Sequence, residues 1–132
     1  MKKIFLTTLF LVSVILAVIA QGTAEIKFDK TTYSFGSFKE TEKVSCKFKF
    51  TNTGNGPLVI HQAIATCGCT VPKYPKEPIK PGESGEITVT YNGAGKFPGY
   101  FRKSITIRTN AKDEVIRLYI EGDMIAKNAE NK

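Results

Sequence analysis

The strongest constraint in this sequence is an alternation of apolar and polar residues with a period of two. In the segment 42–52 (EKVSCKFKFTN), Val44, Cys46, Phe48 and Phe50 occupy every second position, and the residues between them are polar. Successive side chains of a β-strand point to opposite faces, so this pattern predicts a strand with one buried face. The same alternation recurs in three later segments, 85–92, 100–110 and 114–122.

Turn-forming residues separate these segments. Clusters rich in Gly, Asn, Asp and Pro lie at 52–57, 80–83, 92–95 and 110–113. Together with expected strands near 25–29 and 32–35, this spacing predicts about seven short antiparallel strands. Such a pattern is typical of an all-β immunoglobulin-like sandwich. The chain has no Trp, so the Cys–Trp–Cys core of antibody domains is missing.

The pattern also predicts where individual segments lie. Residues 57–65 (PLVIHQAIA) are apolar on both faces, which favours a central strand, whereas the prolines of 75–81 favour an exposed connection or a covered edge. The polar tail after Gly122 is expected to fray. Eight of the alternating apolar residues are expected to face one another across the two sheets: Phe48, Phe50, Ile87, Val89, Ile105, Ile107, Leu118 and Ile120.

The first twenty residues differ from the rest of the chain. Lys2 and Lys3 precede an apolar run at 4–20 that ends in small residues. This combination is typical of a cleaved secretory signal peptide, which we expect at 1–20, with an immunoglobulin-like domain at 21–132. An extracytoplasmic location follows: periplasmic, envelope-associated or secreted. The alternative is an uncleaved anchor, and only then is contact with the membrane expected.

Three cysteines carry the most specific chemistry. Cys67 and Cys69 flank one glycine in a loop, and Cys46 lies on the apolar face of its strand. The loop cysteines can pair with each other, one of them can pair with Cys46, or the two can bind a thiophilic metal. We expect a structural disulfide that involves Cys67 or Cys69. The alternatives are reduced cysteines that serve in packing, and a redox or metal-binding role. Cys46 is most simply a buried small hydrophobe, and one His is too few for a zinc site.

The remaining motifs do not indicate catalysis. His61 precedes Cys67 by six residues, but no residue is placed by sequence to orient it as the base of a Cys–His pair. The segment 92–97 lacks the full glycine pattern and the Ser or Thr of a phosphate loop. Glu40 and Glu42 lie at an expected strand edge and fit solvated surface better than an acid–base couple. We expect neither an enzyme nor a bound cofactor.

The chain is basic, with 19 Lys+Arg against 12 Asp+Glu and a net charge of +7. No nucleic-acid motif or aromatic platform accompanies these charges, so nucleic acid is not an expected partner. Arg102, Arg108 and Arg117 are expected to share an outward face if their strands pair. Acidic envelope polymers or lipid headgroups fit such a face, and the alternative is a solvated surface without a partner.

The order of six segments resembles that of a known family: 35–38 (FGSF), 48–54 (FKFTNTG), 57–60 (PLVI), 67–72 (CGCTVP), 79–85 (IKPGESG) and 105–110 (ITIRTN). Together they resemble the bacterial domain-of-unknown-function family marked by a CGCT motif. That family is similar to the major sperm protein and ASPM/SPD-2/Hydin group of immunoglobulin-like domains. The resemblance covers nearly all of residues 25–123. It implies a seven-stranded sandwich in an exported protein and no established activity, and related eukaryotic domains are regarded as protein-interaction modules.

These observations predict a non-enzymatic, extracytoplasmic binding or structural module. It would present a face or an edge of its sandwich to a protein or an envelope polymer. The rival hypothesis is a thiol-based function, in which Cys67 and Cys69 carry electrons or bind a metal.

Overall fold

The structure is a computed structural model that describes residues 22–128. The predicted signal peptide at 1–20 and the last four residues of the tail therefore lie outside the described residues. The described part forms eight strands: β1 (Ile26–Phe28), β2 (Thr32–Lys39), β3 (Lys43–Asn52), β4 (Ile60–Ala65), β5 (Thr70–Lys73), β6 (Ser84–Asn92), β7 (Gly99–Thr109) and β8 (Val115–Ile125). Residues 22–128 contain no helix that is long and apolar enough to cross a membrane.

The strands form two four-stranded sheets that pack as a sandwich. One sheet has the order β1-β3-β6-β5 and the other β2-β8-β7-β4. The predicted all-β immunoglobulin-like class is thus confirmed. Within residues 22–128 there are eight strands rather than about seven, because the short β5 directly after the Cys67–Cys69 loop was not predicted.

The prediction of purely antiparallel pairing is wrong for one pair of strands. β2 runs parallel to β8, with an irregularity between Ser34 and Ser37 where Gly36 adopts a positive φ of 67°. The reason is that the N-terminal segment serves both sheets. β1 pairs with β3, the chain crosses at 29–31, and β2 then joins the second sheet beside β8. A short crossing without a reversal leaves β2 pointing the same way as β8.

The core lies between the two sheets and consists of the predicted residues. All eight are at most 2% exposed: Phe48, Phe50, Ile87, Val89, Ile105, Ile107, Leu118 and Ile120. Their alternation along four strands places them inward, and the polar residues between them point to solvent. The predicted core is therefore confirmed.

Two placements made from the sequence are wrong. β4 is an edge strand rather than a central one, and its Ile64 is 43% exposed. Apolar residues on both faces therefore reflect an exposed apolar surface at this edge, not burial on both sides. β8 also continues beyond Gly122 to Ile125, where β2 pairs with it, and Met124 is only 2% exposed, so the polar tail begins three residues later than expected. The segment 75–81 forms a connection, as predicted, and is held by an isolated bridge between Ile79 and Leu58.

The strand directions define two ends of the sandwich. At one end β4 and β6 finish and β5 and β7 begin, so this end carries the loops 66–69 and 93–98. We call it the CGC end. The opposite end, which we call the Asn52 end, carries the described N-terminus and the loops 53–59 and 110–114.

Candidate functional site

The loop that contains the cysteine pair carries the chain from one sheet to the other. β4 ends at Ala65 in one sheet and β5 begins at Thr70 in the other. Between them a disulfide joins Cys67 and Cys69, whose Cα atoms are 5.2 Å apart. The backbone N–H of Cys69 donates to Sγ of Cys67 at 3.2 Å, and the N–H of Thr70 donates to the carbonyl of Cys67 at 3.1 Å. The crossover is therefore a closed, locally hydrogen-bonded turn.

The loop is anchored to the central part of the neighbouring sheet. The N–H of Asn92 donates to the carbonyl of Cys69 at 2.8 Å, and Thr70 pairs with Tyr91 and is 4% exposed. Both Cys67 and Cys69 are half-buried, whereas Gly68 between them is exposed. The disulfide thus has a fixed support on one side and solvent on the other.

Cys46 takes no part in this disulfide. It is a free cysteine, 4% exposed, whose side chain lies in the core. In the strand register it lies opposite Val89 of β6. Burial raises the pKa of Cys46 from 9.0 to about 11, because the core solvates a thiolate poorly. The reading of Cys46 as a buried small hydrophobe agrees with this position. A long structural bridge from Cys46 to the loop is not formed, since Cys67 and Cys69 pair with each other.

The structure does not bring a third metal ligand or a base to the cysteine pair. Within residues 22–128 no three His, Cys, Asp or Glu side chains are grouped so that they could hold a metal ion. His61 lies in β4, about 13 Å along the strand from Ala65. Its side chain is exposed, and its backbone carbonyl accepts a hydrogen bond from the Tyr74 hydroxyl at 3.2 Å. His61 is therefore a surface residue of the edge strand.

Exposed apolar side chains lie at the CGC end. Phe97, in the loop between β6 and β7, is 97% exposed, and Tyr100 is 68% exposed. Ile125, at the end of β8, is 39% exposed. The Tyr100 hydroxyl donates to Oε2 of Glu121 at 2.9 Å, and this hydrogen bond raises the pKa of Tyr100. The CGC end thus combines a half-exposed disulfide with apolar surface that the fold does not cover.

Residues 26–124 match the family described as "Protein of unknown function (DUF1573)". The chain belongs to this family. The resemblance noted from the six sequence segments is thereby confirmed. No curated protein matches the sequence.

Several solved structures share the fold of this DUF1573 chain. A protein of unknown function from Porphyromonas gingivalis W83 is 20% identical, with a TM-score of 0.64 over 79% of this chain, and the chain spans only 48% of that protein. The ASH/PapD-like domain 7 of human CEP192 is 9% identical, with a TM-score of 0.64 over 79% of this chain and 87% of that domain. The YadV chaperone is 17% identical, with a TM-score of 0.53 over 81% of this chain and 54% of that protein.

These likenesses show the fold of the DUF1573 chain, an immunoglobulin-like and PapD-like sandwich. Similar domains occur in a chaperone and in human CEP192, but also in two Vibrio cholerae proteases and a glycoside hydrolase. The fold alone therefore does not decide between binding and catalysis.

The three arginines of β7 and β8 are exposed, but they do not form a purely basic face. Arg102 lies opposite Glu121 in the strand register, and its guanidinium carbon is 4.5 Å from the centre of the Tyr119 ring. Arg108 and Arg117 are exposed farther toward the Asn52 end. Acidic and aromatic neighbours thus offset part of the charge that the sequence placed here.

Sequence reasoning missed the residue that organises the Asn52 end. Asn52 was assigned to a turn cluster, but it ends β3 at an inward position and is 0% exposed. Its Nδ2 donates to the carbonyls of Gly56 at 2.8 Å and Ile79 at 2.9 Å, and its Oδ1 accepts from the N–H of Gly54 at 3.1 Å. The signal was available, because position 52 continues the apolar alternation with a polar residue.

Proposed function

We propose that this protein is an exported, non-enzymatic binding module that contacts a partner protein through its CGC end. The observation that carries the proposal is the exposure of Phe97, of whose surface 97% is accessible. Burial of a large aromatic side chain supplies much of the free energy of protein association, and an aromatic residue left in water marks such a surface. Tyr100 and Ile125 extend it. The Cys67–Cys69 disulfide restricts the loop 66–69 at the same end and so lowers the conformational entropy that this loop loses on binding.

A binding role is compatible with the fold, since similar domains occur in the YadV chaperone and in CEP192. A cleft with a volume of about 510 Å³ lies at the Asn52 end. Its lining offers no titratable side chain for acid–base chemistry and consists of Gly22, Thr23, Ala24, Asn55, Gly56, Pro57 and Asn110.

The sequence of residues 1–20 supports export, because two lysines precede an apolar run that ends in small residues. Cleavage after Ala20 would leave Gln21 as the first residue of the mature chain. N-terminal sequencing of protein from the producing cell should give Gln21, and a chain that starts at Met1 would contradict cleavage.

Site-specific photo-cross-linking in the producing cell tests the proposed surface. A photoreactive amino acid at position 97 should give one discrete adduct with a protein, which mass spectrometry then identifies. The matched control is Val115, which is 51% exposed but lies at the Asn52 end. Purified partner should bind the wild type and should bind Phe97→Ser at least about tenfold more weakly. Equal adducts at both positions, or unchanged affinity of Phe97→Ser, would exclude the CGC end as the contact.

A second function is favoured by the half-exposed disulfide itself. In thiol–disulfide exchange, a thiolate of a donor protein attacks Sγ of Cys67 or Cys69, forms a mixed disulfide and releases the other sulfur as a thiolate. A second donor thiolate then breaks the mixed disulfide, so two electrons reduce the loop to two thiols. Cys46 cannot serve as the resolving thiol, because it is buried and its pKa is raised to about 11.

Equilibration with glutathione buffers distinguishes exchange from a purely structural disulfide. After equilibration the native protein is alkylated, and mass spectrometry should show two added groups, on Cys67 and Cys69. The potential at which half of the protein is alkylated should lie within the range of potentials that glutathione buffers cover. Cys46 should stay unmodified and serves as the internal control. A loop that stays oxidised below about −300 mV would identify the disulfide as structural.

A further inference from the structure

The outer face of the sheet β1-β3-β6-β5 carries an excess of lysines. The inward positions of β3 hold Cys46 and Phe48, so Lys47 and Lys49 point to solvent. The same alternation applies to the neighbouring strands. We call the resulting surface the lysine face, and it consists of five exposed side chains: Lys27, Lys43, Lys47, Lys49 and Lys73.

One acidic side chain faces these lysines. Glu86 is the one acid at the outward positions of the four strands, and its Oε2 lies 3.5 Å from Nζ of Lys47. The side chains of this pair are 66% and 50% exposed, so water screens it. The rest of the face is hydroxyl-rich, with Ser45 hydrogen-bonded to Thr90 at 2.8 Å. Glu86 also lies opposite Lys49 in the strand register, so five lysines and one glutamate leave a net charge of 5 − 1 = +4 on this face.

The excess on the other sheet is smaller. Its outward positions on β7 and β8 carry Arg102, Arg108 and Arg117 together with Glu121 and Asp123, a net charge of 3 − 2 = +1. The basic charge is thus concentrated on one side of the sandwich. Because the lysine face is distinct from the CGC end, an inference drawn from it is independent of the protein partner proposed above.

The lysines form a grid that matches a linear polyanion. The register places Thr88 between Lys47 and Lys73, so the Cα atoms of these two lysines are about 10 Å apart, which is two strand spacings. The Cα atoms of Lys47 and Lys49 are about 7 Å apart along β3. A flat membrane fits less well, since Val71 is the one large apolar side chain exposed on these four strands.

A cleft at one margin of the lysine face offers a place for a sugar ring. It has a volume of about 250 Å³ and lies where the chain crosses from β1 to β2. The Tyr33 ring, 40% exposed, lies beside Lys30, Lys47 and Lys49 in its lining, together with Asp29. An aromatic ring packs against the apolar face of a sugar, its hydroxyls bond to polar neighbours, and ammonium groups attract its carboxylates.

We propose that the lysine face binds an anionic polysaccharide, with one sugar ring of the polymer against Tyr33 and its carboxylates on the lysines. The alternative is that these lysines only hinder edge-to-edge pairing of strands, since β1 and β5 are edge strands. The two explanations differ in what lysine removal does. Loss of polymer binding is expected from the first, and self-association without that loss from the second.

The test uses polygalacturonate as the carboxylate polymer, dextran as the uncharged polymer, polyphosphate as an anion without sugar, and vesicles with anionic lipid. Wild-type protein should bind polygalacturonate, lose affinity as salt rises, and ignore dextran. The variant with Lys47→Gln, Lys49→Gln and Lys73→Gln should bind about tenfold more weakly. The matched control removes the same charge elsewhere on the surface, through Lys80→Gln, Lys96→Gln and Lys112→Gln. It should lose less than about twofold.

Tyr33→Ala separates a saccharide site from a general polyanion site. It should weaken polygalacturonate binding about fivefold and leave polyphosphate binding unchanged. Equal losses in the two triple variants, equal binding of dextran, or vesicle binding with the same dependence on the lysines would each overturn the proposal. So would self-association of the Lys47, Lys49 and Lys73 variant with unchanged polymer affinity. A failed cross-link at position 97 would leave these results unaffected, so the two proposals fail separately.

Discussion

Replacement of Asn52 by Ala is expected to destabilise the domain more than its small size suggests. The Asn52 side chain is 0% exposed and joins three segments of the Asn52 end. Ala removes the donor to the Gly56 carbonyl, which accepts no other hydrogen bond within residues 22–128, so that carbonyl is left without a hydrogen bond. The Ile79 carbonyl keeps the N–H of Leu58 at 2.8 Å.

The magnitude follows from these contacts. A buried carbonyl without a partner costs about 1–3 kcal/mol, and each of the lost bonds to Ile79 and Gly54 costs about 1 kcal/mol. The 3.4 Å contact from the N–H of Glu25 to Oδ1 of Asn52 adds little at that length. We therefore expect Asn52→Ala to lower the free energy of unfolding by about 3–5 kcal/mol, a large share of a small domain's stability.

Asn110 provides a matched control of the same residue type. Its Oδ1 accepts from the N–H of Val59 at 2.8 Å and its Nδ2 donates to the Pro57 carbonyl at 3.0 Å, but Asn110 is exposed. Water can replace both bonds, so Asn110→Ala should cost about 1 kcal/mol or less. Urea melts followed by far-UV circular dichroism measure both, since the chain has no Trp. Equal losses at the two positions would refute the argument from burial.

Three further predictions follow from the core and the cysteines. Phe48→Ala, at a side chain 2% exposed, should cost about 3–5 kcal/mol in urea melts, and a change within error would contradict the assigned face of β3. Burial raises the pKa of Cys46 from 9.0 to about 11, so as the pH rises this thiol ionises in the unfolded chain before it ionises in the folded one. The contribution of the neutral thiol to the free energy of unfolding is therefore complete below pH 9 and is lost between pH 9 and 11. The stability difference between wild type and Cys46→Ala should shift by about 2 kcal/mol over that range, and a constant difference would contradict it. Cys67→Ser should cost about 1.5 kcal/mol or less, against roughly 3 kcal/mol for a bridge back to Cys46, and reductant should not destabilise that variant further.

The parts of the fold that were predictable are those set by local periodicity. In β3 the alternation of Val44, Cys46, Phe48 and Phe50 fixes which face is buried, because a shift by one residue would turn every lysine inward. Neighbouring strands repeat this pattern, and the sandwich follows from burying two such faces together.

The parts that were not predictable depend on which strands meet. Nothing local in 32–39 distinguishes a strand beside β3 from one beside β8, so the parallel pairing was missed. The apolar residues on both faces of 57–65 favour a central strand, but this pattern does not show whether a second strand pairs with β4 on the side away from β7. Asn52 was read as a turn residue since its hydrogen-bond partners, Gly56 and Ile79, come together only in the fold.

The cysteine pairing also depends on which segments meet in the fold, and it bears on whether the protein is a binding module or a thiol–disulfide exchange protein. Three thiols allow several pairings, and the one in the structure leaves Cys46 as a free thiol buried in the core. Reduction of the Cys67–Cys69 disulfide therefore needs two external thiols, and reoxidation of the two loop thiols needs an external disulfide or another oxidant that accepts two electrons. A binding module requires this disulfide to persist, because the closed turn shapes the CGC end. A thiol–disulfide exchange protein requires the disulfide to open. If binding depends on the shape of the closed turn, reduction of the disulfide should lower the affinity for the partner identified by cross-linking at position 97, and otherwise the affinity should not change.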